Sequence, residues 1–381
     1  MKLMFWVSIV VIIYAYIGYP ILAYLLSLFY KKPIHGKYMY PEVSILVAAH
    51  NEEVNIKKKI VSLLALDYPE ERLEILIGSD GSTDRTNEIV SKFINGKIRL
   101  YVQNQRQGKP AMLNMLVKET KGEILVFTDA RQRLDKDSLK ELVKNFGDAR
   151  VGSVSSALFY ENENQDIKTG TGVGLYWKYE KFIRHSESRM GSMLGATGAL
   201  YAIRKELFSF LPQDLLLDDV YIPMKIVEKG FRAVFEPKAI VYDIVFENPQ
   251  DEFVRRTRTL AGNFQLFYYL RHLFNPLKGK ISWQFFSHKF LRLTVPFMLG
   301  LFFISNLALT NNGIYKIIFW LQCLFYLLAA LGLIFKQKTK ILDVPYMFCL
   351  MNTAALAGFF QFITRSHNVL WQKASTRGIA R

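Results

Sequence analysis

Three apolar runs in the first third of the chain each end on an acid. Val43-Ser44-Ile45-Leu46-Val47-Ala48-Ala49 leads into His50-Asn51-Glu52-Glu53, Leu73-Glu74-Ile75-Leu76-Ile77-Gly78 leads into Ser79-Asp80-Gly81-Ser82-Thr83-Asp84, and Gly122-Glu123-Ile124-Leu125-Val126-Phe127-Thr128 leads into Asp129-Ala130-Arg131. One Asp-Gly-Ser turn would only reverse the chain. Repeated, and separated by helical stretches at 54–66, 84–94, 109–118 and 137–146, the pattern predicts an α/β domain whose mostly parallel sheet is covered by helices on both faces. Ligands of such sheets bind beyond the carboxyl ends of the strands, where Glu52, Asp80 and Asp129 would stand.

The chain has 381 residues, and 49 Lys+Arg against 33 Asp+Glu give a formal charge of +16. That excess suits nucleic acid or an anionic membrane surface. Long uncharged runs select the membrane, and no nucleic-acid partner is expected. Residues 3–30 carry no charge, a length beyond a signal-peptide core and without a convincing cleavage site, so 1–30 is expected to be an uncleaved anchor. Lys31, Lys32 and Lys37 follow it and assign that side, with the large domain, to the cytoplasm. Three more stretches, 294–310, 317–335 and 344–363, have the length and composition of membrane crossings, and the two cysteines, Cys323 and Cys349, lie within them. No disulfide framework or thiolate metal site is expected.

Phe253, Thr257, Leu260, Phe264 and Phe267 share one helical face, with Arg255, Arg256 and Arg258 around it. This basic amphipathic pattern predicts a helix on the bilayer surface. The expected organisation is an anchor at 1–30, a cytoplasmic domain at 40–245, interfacial helices at 250–293, membrane helices at 294–365 and a basic tail at 366–381. Parity conflicts with it. Three crossings after a cytoplasmic domain put Arg365, Lys373, Arg377 and Arg381 outside, against the positive-inside rule. The doubtful element is 344–363, whose Asn352, Thr353, Ala354, Ala355 and Gly358 suit packing inside a bundle or an incomplete crossing.

Six motifs follow one order: Val-Ala-Ala-His-Asn-Glu-Glu at 47–53, Asp-Gly-Ser-Thr-Asp at 80–84, Gly-Lys-Pro-Ala-Met-Leu-Asn at 108–114, Phe-Thr-Asp-Ala at 127–130, Gly-Ala-Thr-Gly-Ala-Leu-Tyr-Ala-Ile-Arg at 195–204 and Leu-Asp-Asp-Val at 217–220. Together, over about 40–270, they resemble the inverting family-two glycosyltransferases of GT-A fold. The resemblance is to the membrane-integrated branch that includes cellulose, hyaluronan and poly-N-acetylglucosamine synthases. It implies a nucleotide-diphosphate sugar donor, a metal-binding acid at Asp129 and a catalytic base at Asp219, with Asp218 beside it where Glu is common.

The residues suit that chemistry. A nucleotide sugar needs acceptors for base and ribose, offered by Asp80 and Glu52, and positive charge for its diphosphate, offered by Lys109. Asp84 and Asn55 are the better expected helix caps, and Asp135 and Asp137 suit a turn and the cap of the helix from Ser138. The second acid of the family's Asp-x-Asp is absent, and Arg131 stands in its place. Arginine has no lone pair for a metal. Either another oxygen completes a Mg2+ or Mn2+ site, the expected case, or Arg131 itself offsets the diphosphate. Inversion needs one carboxylate to take the acceptor proton. Asp218 and Asp219 also suit a helix start, which is compatible with catalysis. The family's Gln-x-x-Arg-Trp corresponds to Arg255-Arg256-Thr257-Arg258-Thr259, which keeps Arg258 for the diphosphate and loses the tryptophan that stacks on acceptor sugars. Arg255 is a further candidate contact, for donor or lipid headgroup. His185, His272 and His288 show no ligand spacing and are expected at the surface or interface.

These features predict an inverting transferase of the cell inner membrane, with membrane lipids around it. It would move a hexose or N-acetylhexosamine to a glycan or lipid-linked saccharide in cell-envelope polysaccharide synthesis, alongside envelope assembly partners. The alternatives are single addition to a polyprenyl-linked acceptor and a catalytically idle scaffold subunit.

Overall fold

The computed structural model describes residues 1–161, 172–244, 249–335 and 339–364. Helices α1 (Lys2–Ile13) and α2 (Tyr19–Phe29) join through a π-helical turn at Tyr14–Gly18. The α/β region follows as β1 (Val43–Ala49), α3 (Ile56–Leu64), β2 (Leu73–Asp80), α4 (Thr86–Ser91), β3 (Ile98–Gln103), α5 (Lys109–Lys118), β4 (Ile124–Asp129), β5 (Arg133–Leu134), α6 (Ser138–Val143), β6 (Val151–Glu161), α7 (Gly172–Met190), β7 (Tyr201–Arg204), α8 (Asp218–Glu228) and β8 (Arg232–Ile244). The C-terminal part holds α9 (Pro249–Tyr269), α10 (Lys280–Gln284), a π-helical turn at Phe285–Phe290, α11 (Leu291–Leu307), α12 (Gly313–Ile334) and α13 (Lys340–Ile363).

The eight strands form one sheet in the order β3-β2-β1-β4-β7-β6-β8-β5. β3, β2, β1 and β4 are parallel, whereas β7 is antiparallel to both β4 and β6, and β5 is antiparallel to β8. The predicted parallel sheet is thus its first half, and the second half is mixed. Alternation along β1 explains the two covered faces. Val43, Ile45, Val47 and Ala49 join the core beneath Ile56, Ile60 and Leu63 of α3, while Leu46 and Ala48 join Met112, Leu113 and Leu116 of α5. Burial on both sides is why these strands read as near-continuous apolar runs.

Among the described residues, four helices are long and apolar enough to cross a membrane: Lys2–Phe29, Lys280–Leu307, Gly313–Ile334 and Ile341–Ile363. The first three run alongside one another. Phe5 meets Phe302 (5.1 Å between ring centroids) and Tyr14 reaches Ser287 (2.9 Å), while Phe303 meets Phe319 (5.5 Å). α13 starts against α12, where a Cβ at Gly332 would come within 2.7 Å of Leu342 O. Phe348 touches Tyr16 (5.3 Å), level with Arg292 of α11, and Phe325 (5.6 Å), nearer the level of Phe303. Roughly 16 Å further along its own axis, Phe359 meets Phe297 (5.0 Å), which lies between those two levels. α13 therefore runs across α11, not along it.

The far half of α13 lies on α9. A Cβ at Gly358 would come within 2.8 Å of Ala261 N and 2.9 Å of Thr257 O, so only glycine permits this approach. Phe359 and Phe362 cover Phe264. The apolar stripe of α9, expected to lie on the bilayer, is thus covered in part by another helix, because its aromatic residues find protein partners. Arg365, Lys373, Arg377 and Arg381 of the expected basic tail lie outside the described residues.

Candidate active site

The register sets Ala49 beside Ser79 and Ala48 beside Asp129, so β1, β2 and β4 end together. Their ends are stitched by side chains. Asn51, in the left-handed region at φ 55°, accepts from the backbone N–H groups of Thr83 (2.8 Å) and Asp84 (3.3 Å). Glu52 N–H donates to Thr86 Oγ1 (2.8 Å), and half-buried Glu52 accepts from Asn55 Nδ2 (2.7 Å). Asn55 is therefore not the side-chain cap expected for α3. Asp84 does accept from Thr86 N–H (2.9 Å). Asp137 makes no side-chain cap, and Asp135 closes that turn by accepting from Asp137 N–H (3.0 Å).

Asp80 is fully buried, and its two oxygens accept from Gln107 N–H (2.7 Å) and Gly108 N–H (2.8 Å). Gly108 has φ 95°, which favours glycine. Asp80 thereby holds the loop that starts α5 at Lys109. The Lys109 ammonium bridges Asp129 Oδ1 (2.9 Å) and Asp218 Oδ1 (3.1 Å). Burial opposes its charge, but the two carboxylates outweigh burial and raise its pKa, while the Lys109 cation draws Asp129 below its ordinary value against the same burial. The lysine marks where a cation is held between two acids. The oxygen-only donors of Asp129 and Asp218 suit a hard cation such as Mg2+ or Mn2+. Among the described residues no three His, Cys, Asp or Glu converge as a self-sufficient metal site, so substrate phosphates and water would supply the remaining ligands.

Arg131 makes a two-pronged pair with buried Asp243 of β8, at 2.9 and 2.7 Å. Beneath Asp129 lies Lys59, fully buried, donating to Thr128 Oγ1 (2.6 Å) and Gln132 O (3.0 Å). Burial pushes its pKa down to about 7. Sequence reasoning passed over Lys59, although Ile56, Lys59, Ile60 and Leu63 follow the helical period of the buried face.

α8 begins with both candidate acids. Buried Asp218 takes a hydrogen bond from Tyr201 OH (2.9 Å) besides Lys109. Asp219 lies against Gly198, where a Cβ would stand 3.0 Å from its Oδ2. Burial, then the charge of Asp218, raises the Asp219 pKa to about 6, with Lys109 and Arg184 pulling the other way. α9 brings Arg258 to the same place, facing Asp218, Asp129 and Asp219, although burial lowers its pKa. The Arg258 Nε is buried without a hydrogen-bond partner. Arg255 pairs with Glu252 (2.7 Å), and Thr259 bonds back to Arg255 O (3.0 Å). His272 is exposed beside Glu228 and His185 is exposed on α7, whereas His288 is buried between Glu187 and Arg292 and not at the surface. Its acidic partners on α7 are distant in sequence, which hid the contact.

Residues 44–211 match the family described as Glycosyl transferase family 2. The chain is similar to "Probable glycosyltransferase YdaM" of Bacillus subtilis (strain 168), 26% identical over 312 residues, covering 75% of this chain and 72% of that protein. It is also similar to "Poly-beta-1,6-N-acetyl-D-glucosamine synthase" of Staphylococcus aureus (strain COL), 26% identical over 261 residues, covering 66% of this chain and 61% of the synthase. The match thus spans less than two thirds of that synthase. Among solved structures, "Mannosyltransferase PcManGT from Pyrobaculum calidifontis in complex with GDP-Man and Mn2+" shares the fold, with a TM-score of 0.72 at 23% identity over 94% of this chain and 99% of that one.

Proposed function

We propose that this glycosyltransferase, whose residues 44–211 form a family 2 domain of GT-A fold, moves a hexose or N-acetylhexosamine from a nucleotide-diphosphate sugar to a hydroxyl of a glycan or lipid-linked saccharide, inverting the anomeric centre. The observation that carries this reading is the difference between adjacent acids. Asp218 is held by Lys109 and Tyr201, and Asp219 is left with a pKa raised to about 6. Such a carboxylate is ionised near neutral pH yet basic enough to accept a proton.

The donor would lie along the joined ends of β1 and β2, in a pocket shaped by Glu52, Asn51 and the Asp80-anchored loop. Lys109 and Arg258 would offset its diphosphate charge. Asp129 would hold Mg2+ or Mn2+, which when bound supplies further positive charge at the leaving group. Asp219 takes the acceptor proton as the acceptor oxygen bonds to the anomeric carbon from the face opposite the diphosphate. The carbon–oxygen bond to the diphosphate breaks, and the nucleoside diphosphate leaves with that electron pair. Arg131, paired with Asp243, acts in this reading by fixing the segment after Asp129, and Arg255 acts by ordering the start of α9.

One observation favours single addition to a polyprenyl-linked acceptor over polymer extension. At the expected stacking position Thr259 turns its hydroxyl back onto Arg255 O (3.0 Å), so no ring is offered there. The relation to a poly-N-acetylglucosamine synthase favours extension in envelope polysaccharide synthesis.

In the membrane, we place the catalytic domain on the cytoplasmic side of the inner membrane, with α1–α2, α10–α11 and α12 crossing. α13 lies across the cytoplasmic face beside α9. Purified protein incubated with a panel of nucleotide sugars and acceptor glycans tests the reading. Release of nucleoside diphosphate is expected with Mg2+ or Mn2+ and is expected to be lost in excess chelator. Full release in chelator would reject the metal, and no release with any donor would favour the idle scaffold.

A further inference from the structure

Between the catalytic cleft and the membrane helices lies a second group of charges. Glu180, Arg184 and Glu187 belong to α7, His288 and Lys289 to the π-helical turn Phe285–Phe290, and Arg292 to the first turn of α11. Tyr19 of α2 donates to Glu187, and His288 Nδ1 lies 2.8 Å from the same carboxylate oxygen. Arg292 pairs with Glu180, its guanidinium 5.1 Å from the ring centroid of Tyr179 and 5.8 Å from that of Tyr16. Ionisable groups packed among membrane helices are costly and characteristically line substrate routes. The π-helical turns Tyr14–Gly18 and Phe285–Phe290 meet here, through the Tyr14–Ser287 hydroxyl contact, and such turns concentrate at functional sites.

The cations in this group exceed the partners available to them. Glu180 and Glu187 are engaged by Arg292, His288 and Tyr19. Arg292 Nε and Nη2 are buried without hydrogen-bond partners. Half-buried Lys289 has no hydrogen bond among the described residues, and the charges facing it are Glu180, Arg184, Asp219 and Glu187. Arg184 donates to Thr197 Oγ1 (2.5 Å), in the loop whose Gly198 abuts Asp219. Ammonium and guanidinium donors therefore gather between the base and the bilayer. A group with several anionic oxygens satisfies such donors best, and phosphate has that geometry.

We infer that Lys289, Arg184 and Arg292 form a phosphate-binding subsite on the bilayer side of the cleft, which takes the phosphate or diphosphate of a lipid-linked acceptor whose hydroxyl reaches Asp219. The inference rests on the transferase reading above. The lipid source follows from position, because Lys289 and Arg292 belong to one candidate membrane helix, Lys280–Leu307, and Arg292 lies over Tyr16 of another, Lys2–Phe29.

The test uses the full chain in phosphatidylcholine nanodiscs, with undecaprenyl phosphate, undecaprenol and inorganic phosphate as probes and nucleoside diphosphate binding measured in the same preparation. The phosphorylated lipid is expected to bind at least roughly tenfold more tightly than the alcohol, as one charge-assisted contact implies. Lys289→Met should remove most of that difference, Lys289→Arg should keep it, and neither should change nucleoside diphosphate affinity. Equal binding of the two lipids, or a Lys289→Met variant that binds like the parent, overturns the subsite. Inorganic phosphate binding as tightly as the phosphorylated lipid overturns the lipid source. If the nucleoside diphosphate itself fails to bind, the transferase reading fails first and the inference falls with it.

Discussion

Asp218 and Asp219 occupy the first two positions of α8, yet their carboxylates meet different surroundings. Asp218 is paired with Lys109 and accepts from Tyr201. Asp219 lies beside that carboxylate, and burial first, then the neighbouring acid, raises its pKa to about 6. The sign of the resulting pH dependence is definite. Below about pH 6 Asp219 is protonated and cannot accept the acceptor's proton, so kcat/KM should rise through that pH and level off above it. In Asp218→Asn the neighbouring charge is gone, so the limb should move to lower pH. Transfer rates measured from pH 4.5 to 8 check both statements, and a limb that stays in place in Asp218→Asn would show that the titrating group lies elsewhere. The motif Leu-Asp-Asp-Val made both acids legible in the sequence, but the partners that distinguish them come from β7 and α5, distant in the chain. Lys59 was missed for a different reason. A lysine on a buried helical face looks like any solvated lysine until its acceptors, Thr128 and Gln132, are known.

At the level of elements, β1 and α5 have the bounds that sequence periodicity predicts, at Val43–Ala49 and Lys109–Lys118. Local pattern sufficed because burial on both faces or a Gly-Lys-Pro start leaves few alternatives. The mixed half of the sheet was not legible, since strand direction depends on which neighbour a strand finds. α13 shows the same limit. Its composition suits a crossing, while Gly358, Phe359 and Phe362 bring its far half onto α9. In the topology proposed above, α10–α11 and α12 cross and α13 does not, so domain and tail would share one side, as the positive-inside rule asks. A reporter active only in the cytoplasm, fused after Arg381, is expected to be active. An active periplasmic reporter at the same position would mean that α13 crosses.

At the scale of the whole molecule, the carboxyl end of β4 gathers Asp129 with Lys109 of α5 and Asp218 and Asp219 of α8, and α9 adds Arg258. In the proposed reading, a lipid-linked acceptor would enter from that side. The central claim is that Asp219 activates the acceptor while the other groups hold the donor. Its most direct test compares nucleotide-sugar affinity and sugar transfer for the parent protein and Asp219→Asn, both reconstituted in lipid with Mn2+. The account predicts donor affinity within about twofold of the parent and transfer lowered by roughly a hundredfold or more. Transfer at the parental rate by Asp219→Asn, with the donor bound normally, would contradict it.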